Sequence, residues 1–126
     1  MLRHVFEAFN AGGIEAALAY VHPEIAWYAP PEWLEKRVYE GHEELRELAS
    51  YWEQNFNEYR LDIQRVADLE DGRAFTLLHQ RGRVRDSGLE VEQDIGYVAA
   101  LDAGKVVRID VSFSWEATLE AAGLQE

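Results

Sequence analysis

At 126 residues, with 24 acidic against 12 basic side chains, a net charge of −12 and no cysteine, the chain reads as one domain, residues 1–126, around one core. Such a charge repels phosphate backbones and anionic lipid and argues against nucleic-acid and membrane partners, while the missing cysteines exclude disulfides, thiolate metal sites and a thiol nucleophile. No apolar run is long enough to span a bilayer, and the start carries Glu7 where a signal peptide would be apolar, so a cytoplasmic protein is expected.

Leu2, Val5, Phe6 and Phe9 step by three and four, which predicts a short amphipathic helix stopping near Asn10-Ala11-Gly12-Gly13. A second helix is predicted from Ile14 through Leu18 to Val21, ended by His22-Pro23, because proline cannot continue the backbone ladder. Ile25 to Ala29 reads as a short strand stopped by Pro30-Pro31, and Glu32 to Glu40 as an irregular cover anchored by Trp33 and Tyr39. From His42 the spacing turns helical again, with Leu45, Leu48, Ala49, Trp52 and Phe56 on one face. Tyr59 to Leu69 alternates as a strand and loses phase near Val66, which suggests a bulge before the Asp71-Gly72 turn.

Three long strand-like segments follow, Arg73 to Asp86, Leu89 to Asp102 and Lys105 to Trp115, joined only by Ser87-Gly88 and Ala103-Gly104. Joints that short make antiparallel neighbours, and strands that long must twist and curl. The curled sheet has a concave side, and the helix-patterned first half is what can close it into a pocket. The tail, Trp115 through Leu119 to Leu124, reads as a last short helix or turn.

Alternation assigns the faces. Val107, Ile109, Val111, Phe113 and Trp115 are placed inward, as are Val91, Gln93, Ile95, Tyr97, Ala99 and Leu101. Gly96, Val98 and Ala100 then face outward, small enough to suit a partner sheet, and Asp94 and Asp110 fall on the same outer face. In the first long strand Phe75 and Leu77 are placed inward, and His79 and Arg81 go with them. An arginine in an apolar cavity needs an anion, because an unpaired buried charge costs several kcal/mol. The alternative for Arg81 and Arg83 is that they lie beyond the pocket, solvated or paired with Glu90, Glu92 or the C-terminal Glu126. His79 has the alternative of a core histidine bonded to a backbone carbonyl or to Tyr97. His4, His22, His42 and His79 are scattered, and no pair stands at ligand spacing, so no metal is expected.

The stretches FEAFNAGGIEAALAYVHPEIAWYAP, YEGHEELRELASYW, SGLEV, DAGKVVRIDV and ATLEAAGL together resemble the SnoaL-like branch of the nuclear-transport-factor-two-like superfamily, which is similar to ketosteroid isomerase in fold. The resemblance implies an α+β cone: a curled antiparallel sheet with N-terminal helices and one longer helix closing a deep apolar pocket, homodimeric through the outer sheet face. It also implies that the isomerase's apparatus is mostly replaced. The position of its base is Ala29, that of its oxyanion-hole tyrosine is Val5, and that of its protonated acid is Tyr97.

The expected function is a small-molecule pocket that works without a cofactor on a small apolar carbonyl compound. His79 would move a proton, and Arg81 and Tyr97 would hold the oxyanion. Trp27, Trp33, Trp52, Phe56, Leu77, Gln93, Ile109, Val111, Phe113 and Trp115 would form the ligand wall. The rival reading is a non-catalytic binding or dimerisation module.

Overall fold

The structure, a computed structural model, describes residues 2–33 and 36–124. In chain order it contains α1 (Leu2–Leu18), β1 (Val21–Tyr28), β2 (Val38–Glu40), α2 (Gly41–Asn55), β3 (Phe56–Asp68), β4 (Arg73–Val84), β5 (Glu90–Asp102), β6 (Lys105–Ser112) and α3 (Trp115–Ala121). Among the described residues the six strands make one curled, unclosed sheet in the order β2-β1-β6-β5-β4-β3. Every neighbouring pair is antiparallel except β1 and β6, which run parallel, so the sheet is mixed. The architecture is the expected α+β cone.

The two predicted N-terminal helices are one element, α1, broken at Gly13, whose φ of 76° and ψ of −164° are open to glycine without strain. Pro23 does not stop the chain as expected but lies inside β1. Strand β1 tolerates it because its register to β6 shifts between Val21 and Ala26, so the missing N–H falls in an interruption of the ladder. The Glu32–Glu40 stretch contributes the short edge strand β2. Phe56 leaves α2 and opens β3, which carries two register shifts, one between Asn57 and Arg60 and one between Ile63 and Arg65.

Helices α1 and α2 lie on the concave side, where Leu2, Val5, Phe6, Leu45 and Leu48 pack with Trp27, Leu61, Leu78, Ile95, Tyr97, Ile109 and Val111. Arg46 on α2 pairs with Glu15 on α1 at 2.6 Å. The outer strand β3 is held to α1 by Asn10, whose side chain donates to the Leu61 carbonyl at 2.7 Å and accepts from the Leu61 N–H at 2.9 Å. That amide acts as a surrogate neighbour for an edge strand that otherwise has unpaired backbone.

Helix α3 covers part of the convex side. Leu119 and Ala122 pack on Phe75, Leu77 and Val98, and Thr118 sits directly over Gly96. Ser114 caps its start by accepting from the Ala117 N–H at 3.1 Å, and Arg73 donates to the Ala121 carbonyl at 3.0 Å near its end. The small outward residues Gly96 and Val98 therefore make room for the chain's own last helix rather than for a partner sheet.

Candidate functional site

Among the described residues, two chambers open on the concave side. The inner one, about 80 Å³, lies under α1 and α2 and is walled by Phe6, Phe9, Leu45, Leu48, Trp27 and Ile109, with Tyr97 and Leu61 from the sheet. The outer one is a cleft of about 290 Å³ toward the far ends of β4 and β5, between Trp33, Trp52, Phe56 and Phe113 and the amides of Gln80 and Gln93. Both chambers reach Trp52 and Tyr59.

Aromatic packing sets these walls. Trp27 meets Tyr39 and Tyr97 edge to face at 5.5 and 6.4 Å, and Phe6 meets Tyr97 at 5.0 Å. Burial pushes the Tyr97 phenol well above its ordinary pKa, with the Trp27 side chain working against that shift as a hydrogen-bond partner. Tyr59 is raised likewise, by burial first and by the neighbouring Tyr97 second. Both phenols are therefore neutral across the physiological range. A hydrogen-bond chain leads outward from Tyr59: its hydroxyl donates to Gln80 Oε1 at 2.5 Å, and Gln80 Nε2 donates to Gln93 Oε1 at 3.2 Å.

Of the residues expected at the site, Trp27, Tyr97 and Ile109 line the inner chamber, Trp52 lines both, and Trp33, Phe56, Gln93 and Phe113 line the outer cleft. Val111 belongs to the concave core without lining a chamber. The inward placement of Phe75, Leu77, His79 and Arg81 is corrected. In β4 the alternate set Ala74, Leu78 and Gln80 faces the concave side, because β5 pairs Leu78 with Ile95 and Gln80 with Gln93, both inward, and α3 gives the opposite face its own cover. Trp115 is corrected too: it begins α3 on the convex side, where its indole N–H donates to the carbonyls of Leu78 and Ile95 at 3.1 and 3.2 Å.

On that convex side His79 meets the Trp115 ring at 4.9 Å, and its Nδ1 lies 3.1 Å from Glu92 and 3.3 Å from Asp94. Neither carboxylate is aligned well enough to accept from this nitrogen, which is shielded from solvent without a hydrogen-bond partner. Arg81 pairs with Asp62 at 3.0 Å and Arg83 with Glu90 at 2.8 Å, which is the solvated arrangement of paired strand-end charges. Burial pushes the Asp62 carboxyl up, but its bonds to Arg60 and Arg81 outweigh that and hold it below the usual carboxylate range.

Sequence reasoning missed Tyr59, Leu61 and Gln80 as lining residues. Tyr59 and Leu61 carry a signal, since they alternate on one face of β3. Gln80 was sent to the wrong side with the rest of β4. Among the described residues no group of three His, Asp or Glu side chains is placed to hold a metal ion, and no helix is long and apolar enough to cross a membrane.

The model of the SnoaL-like domain family matches residues 2–109. The chain belongs to the SnoaL-like domain family. Solved structures agree in fold. An NTF2-like protein of unknown function from Burkholderia pseudomallei superposes with a TM-score of 0.77 at 19 % identity, over 94 % of this chain and 92 % of that one. A protein of ketosteroid isomerase-like fold from Catenulispora acidiphila, in complex with trimethylamine, gives 0.74 at 8 % identity over 98 % and 92 %. TerC, co-crystallised with polyporic acid, gives 0.76 at 18 % identity over 97 % and 95 %. A search of curated proteins finds no match to this sequence.

Proposed function

We propose that this SnoaL-like domain binds a small, uncharged, largely apolar molecule on the concave side of its sheet. One observation carries the reading: among the described residues no charged group lines the inner chamber, and the two that border the outer cleft are engaged elsewhere. Arg81 and Glu92 touch the edge of the outer cleft, but their charged ends meet Asp62 and His79 on the convex face. An ionised ligand would enter without a partner, at a cost of several kcal/mol. A neutral ligand oxygen meets suitable groups instead, the Tyr97 phenol inside and the Gln80 and Gln93 amides outside. Two of the similar folds hold small molecules, trimethylamine in one and polyporic acid in the other, which supports a ligand-holding cone.

Proton transfer shared by His79, Arg81 and Tyr97 needs all three around one carbonyl. Here the sheet lies between the first two and the third, so binding is the reading the geometry favours. A homodimer through the outer face left free by α3 remains part of the proposal, and the mass in solution tests it.

The binding test is calorimetry with uncharged aryl ketones and the matching carboxylates. Ketones should bind and carboxylates should not. Gln93→Leu should weaken ketone binding by roughly three- to tenfold, the worth of one hydrogen bond, whereas His79→Ala and Asp94→Ala, both on the convex face, should leave it unchanged. Failure of every ketone to bind, or loss of binding in the convex-face variants, would refute the reading.

A further inference from the structure

The partition between the two chambers is a pair of side chains. Trp52 from α2 and Tyr59 from β3 stack with ring centroids 5.3 Å apart and planes within 4° of parallel. Phe9 closes on Tyr59 from the inner side at 6.1 Å, and Trp33 on Trp52 from the outer side at 5.4 Å. Tyr59 is held in place through its hydroxyl, by the hydrogen bond to Gln80.

The backbone beneath Tyr59 stands outside the strand pairing. Between Asn57–Arg83 and Arg60–Arg81 the β3–β4 register shifts, so Glu58 and Tyr59 have no partner residue on β4. Glu58 takes a φ of 56°, a left-handed conformation that a glutamate adopts at a cost. A bulge carrying such a residue holds the Tyr59 ring on a segment outside the ladder, so the ring can move without breaking strand pairing.

Volume decides what could use that movement. The inner chamber, about 80 Å³, is near half of the roughly 150 Å³ cavity that admits a benzene ring, so it takes a few methylenes but no ring. The outer cleft, about 290 Å³, takes one or two fused rings. The outer cleft alone lies at the lower limit of small-molecule sites, roughly 300 Å³, and joined to the inner chamber it passes that limit.

We propose that the two chambers are one site with a Trp52–Tyr59 gate, and that the ligand is an uncharged aryl compound with a short aliphatic tail. Its flat ring lies among Trp33, Trp52 and Phe113, an acceptor on it meets the Gln80 and Gln93 amides, and the tail passes the gate into the inner chamber. This rests on the binding reading above and names the class of ligand for it.

The test is a phenyl alkyl ketone series from acetophenone upward, with affinities measured by calorimetry on the full chain. Each methylene that enters the inner chamber should tighten binding about fourfold, until the chamber fills and the gain stops. Cyclohexyl phenyl ketone should bind wild type no better than acetophenone, and Tyr59→Ala should bind it at least about tenfold tighter than wild type does. Ala49 also lines the inner chamber, and Ala49→Leu should fill that chamber, keeping acetophenone binding while erasing the chain-length gain. This second variant decides the matter even if Tyr59→Ala fails to fold. Acetophenone binding with no dependence on tail length in wild type would overturn the gated site and leave the binding reading standing. No binding by any ketone would overturn both.

Discussion

Replacing Gly96 with alanine tests which face of the sheet α3 occupies, and with it the placement of Phe75, Leu77 and His79. Gly96 lies in the extended backbone of β5, where an unhindered glycine-to-alanine change stabilises a protein by roughly 0.4–1 kcal/mol through the unfolded chain. Here the added methyl would lie 2.0 Å from Thr118 Oγ1, 2.7 Å from its Cβ and 2.8 Å from its Cγ2. Carbon contacts settle at about 3.5–4.0 Å, so α3 must lift by about 1 Å. Thr118 cannot turn away, since it is fully buried and its hydroxyl already donates to the Ser114 carbonyl at 2.9 Å. Lifting the helix loosens Leu119 and Ala122 from Phe75, Leu77 and Val98, and overpacking of this kind costs typically 1–3 kcal/mol. Gly96→Ala should therefore lose about 2 kcal/mol in urea unfolding. In a Thr118→Gly background, where the space is vacant, the same change should cost nothing or stabilise. A stabilised Gly96→Ala single variant would show that the convex face over Gly96 is open, and the assignment of His79 to that side would lose its support.

Two further outcomes follow from the polar contacts. Asn10→Ala removes the side chain that pairs with both backbone groups of Leu61 and should cost about 1–3 kcal/mol, with faster hydrogen exchange at the Leu61 amide as the local readout. For Asp62, the folded carboxyl titrates below its unfolded value, so its contribution is present above the unfolded pKa of about 4 and is lost as pH falls through the lower folded value. Asp62→Asn should thus be about 1 kcal/mol less stable than wild type at pH 7, and the gap should close as acid protonates the folded carboxyl; a gap unchanged by acid would contradict the ion pairing with Arg60 and Arg81.

Much of the architecture was legible because its signals are local. Short turns forced the β4–β5–β6 meander, the 3.6-residue spacing marked α1 and α2, and alternation placed Tyr97, Ile109 and Val111 on the side that proves to be concave. Signals that depend on distant partners were not legible. Asn10 is polar in a helix, and nothing within its own segment says that an edge strand 51 residues later needs its amide. Pro23 looked like a stop because the register break that accommodates it is made with β6. Trp115 looked like the end of a strand because the cap at Ser114 becomes visible only once α3 is seated.

The face of β4 is a different matter, since the sequence does hold the signal that fixes it. The residues from Ala74 to Leu78 are all buried, with core on both sides, so alternation within the strand has no polar set to read. The hairpin with β5 supplies the missing constraint. Its loop, residues 85–88 between the hydrogen-bonded Val84 and Leu89, sets Arg83 opposite Glu90, Arg81 opposite Glu92 and His79 opposite Asp94, so each basic or titratable side chain at this end of β4 meets an acidic one on β5. Cross-strand partners share a face, and alternation in β5 had already put Asp94 outside. Placing Gln93 and Tyr97 inward therefore required His79 and Arg81 to point outward, and the same register brings Gln80 to Gln93 at the edge of the cleft. Charge complementarity across the turn, rather than hydrophobic alternation along the strand, is what separates the concave side of this sheet from its ionic one.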